Sequence, residues 1–421
     1  MKLYRHGILL ILLIFMVAGC GKYEINSTPI ETKQNISKKK IVFSTHRVDK
    51  VTELNRLADE FMKKNPDTLI EIEPIADLDR IYKARLAVNE LPDITAITGL
   101  EPNSPDYFAP LNDLGFTSDD FALPLPMMDG NIYSLPIGVS YDGVVYNKSV
   151  FKKAGIAKAP TTMKEFMEVC KKLKEAGVIP LALNAKSKWP TTWFVRRYPK
   201  MKLDNPQYEV ELAESDKLLS PDSPVFNILK NLRDMYKQGY LEPDITQTDW
   251  EQMKKDMAKG KVAMTFLGSW LISQLTDNGA KPDEIGMFPF PEIKCIYLDN
   301  DVPYSISNRS KHIDVAKAFM KYLWQDSKIS NAIGQASPFK NSDNELNAVK
   351  ELLSFNIPAK FMGVDESRYS EVIMASRIDI NSVCYEYIFS DTPEKIINDY
   401  NERWKAGREK IHNNSNYIKS N

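Results

Sequence analysis

Apolar and polar positions along the chain follow two periods that replace one another repeatedly. Ile41 to Ser44 is a short apolar run of strand type. Val51, Leu54, Leu57, Ala58 and Phe61 then share one helical face. Asn65-Pro66-Asp67 ends that helix, because a residue before proline is pushed out of the helical region. Thr68 to Glu73 alternates with period two, Ile81 to Val88 returns to helical spacing, and Asp93 to Ile97 is again a strand. The rhythm resumes with a helix from Met163 to Glu175, the strand VIPLAL from Val178, and a helix near Val225 to Lys237. Trp250 to Lys259 follows as helix, Val262 to Leu267 as strand and Val315 to Trp324 as helix. Strands interleaved with helices of this length predict βα units and an α/β fold of mainly parallel sheets flanked by helices.

One strand ends unusually. In GKVAMTFLGSW, Gly260 to Trp270, an apolar run gives way to two small residues and then the largest side chain available. Gly268 and Ser269 would leave room for another surface, and Ser269 would cap a helix beginning at Trp270. The indole would then face whatever lies beyond the strand's end.

The first residues follow a different pattern. Lys2, Arg5 and His6 precede an unbroken apolar run, Ile8 to Met16, too short to span a bilayer and suited to a signal peptide. Val17-Ala18-Gly19-Cys20 closes it, and small residues before a cysteine resemble the bacterial lipobox, whose cysteine is lipidated and begins the mature chain. Residues 1–19 are therefore expected to be a signal peptide and 20–39 a polar, flexible tether anchored at Cys20. The roughly 380 residues beyond it exceed one ordinary domain, which predicts two.

Charge narrows the partners. The chain has 55 basic and 56 acidic residues, a balance that argues against nucleic acid, which usually selects a basic stripe. Beyond Cys20 only Cys170, Cys295 and Cys384 remain, with no CxxC spacing, so neither a disulfide framework nor a zinc site is expected. No cofactor is implied: HExxH, Walker and GxGxxG patterns are missing from the sequence. GVSYDG, Gly138 to Gly143, lacks the spacing of a nucleophile elbow. A carboxylate pair for glycoside hydrolysis has many candidates among the acids and none that stands out.

Several segments in fixed order carry a resemblance. DGNIYSLPIGVSYDGVVYNKSVFKKAGI, Asp129 to Ile156, is followed by APTTMKEF, by CKKLKEAGVIPLAL and Trp189, by MAKGKVAMTFLGSW and by EIGMFPFP. FMKKNPD, ELPDITAI and FAPLNDL precede it. This order resembles the extracellular sugar-binding lipoproteins of ATP-binding cassette importers, from about residue 40 to about 330. Met163 departs from the pattern, standing where that family usually has Trp.

The resemblance implies a two-lobed clamp that closes on a saccharide and delivers it to a membrane permease without performing chemistry. A glycan-active enzyme and a binder of another solute are the alternatives. The first lobe would comprise residues 40–143 and 300–330, and the second 144–299 and 331–421, with Tyr141 to Asn147 crossing between them. The protein would be a monomer held by lipid on the outer face of the cell membrane. In open α/β sheets ligands sit beyond the carboxyl ends of strands. His46, Glu101 and Trp270 follow such ends. Trp189, Trp193 and Trp270 would supply rings for the apolar faces of a pyranose. Asp142, Glu101, Arg47 and Arg377 would supply charge-assisted hydrogen bonds, and Tyr141 and Tyr304 either kind of contact.

Overall fold

Strand Lys39–Thr45 lies inside a five-stranded sheet, between Thr68–Pro74 and Ile94–Ala96, with Pro303–Ile306 and Leu135–Pro136 completing the order. This is seen in a computed structural model of the chain, which describes residues 38–99, 103–340, 342, 346–363 and 367–420, with side chains to 412. The alternation of Thr68 to Glu73 places Ile70 inward, and the helix Val51–Lys64 buries Leu54, Leu57, Ala58 and Phe61 as its spacing requires. With Ile41, Phe43, Ile306, Phe319 and Trp324 these form one core.

A second sheet runs Ala359–Phe361, Ile296–Asn300, Val139–Asn147, Val262–Gly268, Ile179–Ala182, and Ile285–Phe288 also pairs with Val139–Asn147. It has a core of its own, including Val144, Phe166, Leu181, Met264, Phe266 and Phe288. Against this core packs the helix Met163–Glu175, whose start is fixed by a reciprocal cap between Thr162 and Glu165.

Both sheets are mixed rather than mainly parallel. Lys39–Thr45 is parallel to its two neighbours, whereas Pro303–Ile306 is antiparallel to both of its own. Val139–Asn147 is antiparallel to all three strands beside it. The reason is where these strands enter. Each arrives directly from the other sheet, through two residues, and so starts at the edge where its βα neighbours finish. No helical crossover intervenes to turn the chain round, as parallel pairing would need.

Tyr141 to Asn147 therefore lie inside the second sheet, with Asp142 opposite Gly268 and Val145 opposite Thr265, and do not cross between the units. The crossing falls earlier, at Gly138, whose carbonyl accepts from Asp301 N–H at 2.8 Å while Val139 N–H donates to Ala336 at 3.0 Å. A Cβ on Gly138 would stand 2.8 Å from the Ala336 carbonyl oxygen, so this glycine lets three backbone segments converge. Ile333 still belongs to the first core and Ala348 to the second. Among the described residues no helix is long and apolar enough to cross a membrane.

Candidate functional site

The parallel strands Ile179–Ala182 and Val262–Gly268 point to one edge of the second sheet, and the segments that follow them carry indoles. Trp270 comes just after Gly268, and Trp189 and Trp193 come after Ile179–Ala182. A fourth, Trp250, opens the helix Trp250–Ala258, where Asp249 caps the helix by accepting from Glu251 N–H at 3.0 Å and Gln252 N–H at 3.3 Å. The Trp189 ring centre lies 4.8 Å from Trp250, 5.7 Å from Trp270 and 5.9 Å from Trp193. Trp270 is 5.9 Å from Trp250 and 6.1 Å from Trp193. The four form one tilted, edge-to-face cluster, the geometry aromatic quadrupoles favour. Trp193 is 8% exposed and Trp189 37%, so the cluster has a closed side and an open one. Sequence reasoning placed Trp250 on a helix and missed it as a site residue. The available signal was its position directly after a capping Asp, where a helix's first residue projects from a loop.

The turn before Trp270 works differently from the expectation. A Cβ on Gly268 would lie 2.4 Å from Trp270 Nε1 and 2.5 Å from Ser140 Oγ. Gly268 thus makes room for Trp270's own ring, folded back on the strand end, rather than for an arriving surface. Ser269 does not cap the helix Leu271–Asp277, which has no side-chain cap. Its hydroxyl accepts from Tyr141 N–H at 3.1 Å and its N–H donates to the Tyr141 carbonyl at 2.9 Å. The serine stitches the turn to the neighbouring strand.

Asp142 is 1% exposed, and its carboxylate accepts from Arg197 at 3.0 Å. Arg197 also donates to Asp299 at 3.3 Å. Burial pushes both carboxyls up from their ordinary range and the guanidinium opposes it. Asp142 is thus buried in an internal ion pair. Tyr141 is half-buried, its backbone engaged with Ser269.

On the first sheet, Tyr304 is buried in the core, stacked on Phe43 at 5.1 Å, with its hydroxyl 2.7 Å from Thr45 Oγ1. It supports His46, whose Nδ1 is 3.4 Å from that hydroxyl, and burial pushes the imidazole down to about 4. Arg47 is buried too, gripping Asp49 through Nε at 2.9 Å and Nη2 at 2.6 Å. The same Nη2 reaches Ser273 Oγ at 3.2 Å, on the helix that follows Trp270, and Lys50 pairs with Asp277 of that helix at 2.6 Å. The strand end carrying His46 therefore faces the helix beside the indoles. Arg377 is exposed after the helix Ser367–Ser376, and its carbonyl accepts from Arg403 of the C-terminal helix. The structure does not bring it to the indoles among the described contacts. Glu101 and Cys20 lie outside the described residues, as do the expected signal peptide and all but the last two residues of the expected tether.

The arrangement offers a broad indole surface beside a half-buried cation, Arg197, which holds the carboxylates of Asp142 and Asp299. Residues 47–326 match the model of the bacterial extracellular solute-binding proteins, and the chain belongs to that family. It is 24% identical to the multiple sugar-binding protein of Streptococcus mutans, over 73% of this chain and 75% of that one. It is also 24% identical to the melibiose/raffinose/stachyose-binding protein MelE of Bacillus subtilis, over 67% and 66%. Among solved structures it is similar to the Bifidobacterium animalis binding protein BlMnBP1 in complex with mannobiose, with a TM-score of 0.75, 22% identity, and 89% of this chain and 95% of that chain covered. The raffinose complex of RafE aligns with a TM-score of 0.71 at 18% identity, covering 88% and 99%. These likenesses establish the two-lobed fold of solute-binding proteins.

Proposed function

We propose that the protein captures a saccharide between its two lobes and delivers it to the membrane permease of an ATP-binding cassette importer, without chemical change. The observation that carries this reading is the cluster of four indoles at the carboxyl ends of second-sheet strands. A pyranose presents C–H faces that pack on such rings, and hydroxyls that need donors and acceptors around the rim. A relative named for melibiose, raffinose and stachyose, and a structural neighbour solved with mannobiose, make a saccharide the favoured solute. Each lobe is built on one of the two sheets and its core, and the hinge lies where Gly138, Asp301 and Ala336 meet. Closure about it would present a liganded form that the permease recognises. Two tests bear on this reading. A thermal-shift screen over raffinose, stachyose, mannobiose and shorter sugars should raise the melting temperature for at least one, since a ligand bound only by the folded state stabilises it by mass action. A flat response across the panel would contradict the saccharide reading, and shortening of an oligosaccharide would favour an enzyme. The protein acts as a monomer tethered by lipid at Cys20 on the extracytoplasmic face. Cys20→Ser should remove it from the membrane fraction; a variant still lipidated and processed would contradict the anchor.

A further inference from the structure

Arg197 is held on several sides beside the indoles. It closes a stretch of π-helical winding, Trp193–Arg197, between the turn Trp189–Thr191 and the helix Tyr198–Leu203. Such winding is rare, gives poorer hydrogen bonds than an α-helix, and gathers at functional sites. Here it sets the guanidinium against the Trp193 ring, 4.8 Å from its centre, while the Tyr297 ring lies 4.4 Å away. The N–H groups donate to Asp142 at 3.0 Å and to Asp299 at 3.3 Å. A planar cation stacked on rings and fixed at its edge has little freedom left, and neither has a ring resting on it. Trp193 is the least exposed of the four indoles and touches both Trp189 and Trp270, so its plane sets the tilt of those two. Asp299 belongs to Ile296–Asn300, the strand that leaves for the first sheet within three residues.

We propose that Arg197 is a positioning residue, which holds Trp193, and through it the indole surface, in register with the strand that crosses to the first lobe. The proposal rests on that surface being the saccharide floor. An ion pair that merely stabilised the second lobe would show in melting and nowhere else.

The test separates these. Removing the cation alone would leave Asp142 buried without its partner. The variant is therefore the pair Arg197→Gln with Asp142→Asn, alongside Arg197→Lys, which keeps the charge and loses the planar stack. The tryptophan exciton couplet in far-ultraviolet circular dichroism reads the indole arrangement in the unliganded protein. Calorimetric titration with raffinose and with mannotriose reads binding. Both variants should melt cooperatively, show a diminished couplet, and bind roughly tenfold or more weakly. An unchanged couplet in the paired variant, or in Arg197→Lys if the pair fails to fold, would overturn the proposal. So would a changed couplet with undiminished affinity. If wild type binds neither sugar, the saccharide reading loses support, while the couplet still decides whether Arg197 positions the indoles.

Discussion

Gly268 and Trp270 show how much one missing Cβ can decide. The glycine lets the indole fold back over the strand end, where it joins three others instead of swinging into solvent. Trp270 is half-buried, with part of its surface held by neighbours and part left open. Loss of its contact with a sugar should cost about 1–3 kcal/mol, by analogy with burial of a large apolar side chain. Since about 1.4 kcal/mol is tenfold in dissociation constant, Trp270→Ala should weaken saccharide binding roughly ten- to a hundredfold. Trp270→Phe should keep part of the affinity, because a smaller ring remains. Calorimetric titration beside unliganded thermal unfolding checks this. Unchanged affinity with a large fall in melting temperature would make Trp270 a core residue only.

At the scale of elements, the local periods were readable and the long-range partners were not. The helices Val51–Lys64, Met163–Glu175 and Pro224–Lys237 lie where their apolar spacing put them, because burial of one face is a local instruction. The strand-end rule pointed to Trp270, which the fold sets beside Trp189 and Trp193. Strand direction escaped, since it depends on which edge a chain enters after leaving another sheet. Ser269 has the chemistry of a helix cap, but Tyr141, far away in sequence, takes its hydroxyl. Asp142 was legible as a candidate, but its pairing with Arg197 was not, because Arg197 comes beside it only once the sheet has formed. Arg197 itself carries no local mark, since π winding has no simple period to reveal it.

For the whole molecule, two cores meet in backbone hydrogen bonds at Gly138, Val139, Asp301 and Ala336, and rotation about that meeting is the closing motion the proposed function requires. Away from that point, polar contacts bridge the two among the described residues, Arg47 with Ser273 and Lys50 with Asp277. Polar bridges of this kind can exchange with water, whereas a packed apolar interface between the cores would resist opening. A saccharide lying on the indoles and reaching the first sheet would therefore shift the population toward a closed form by its differential affinity for that form. Capture of a saccharide by closure requires the molecule to become more compact when it binds. Small-angle scattering with and without a saturating amount of the saccharide that gives the largest thermal shift tests it most directly. The radius of gyration should fall on binding; an unchanged radius at saturation would contradict capture by closure.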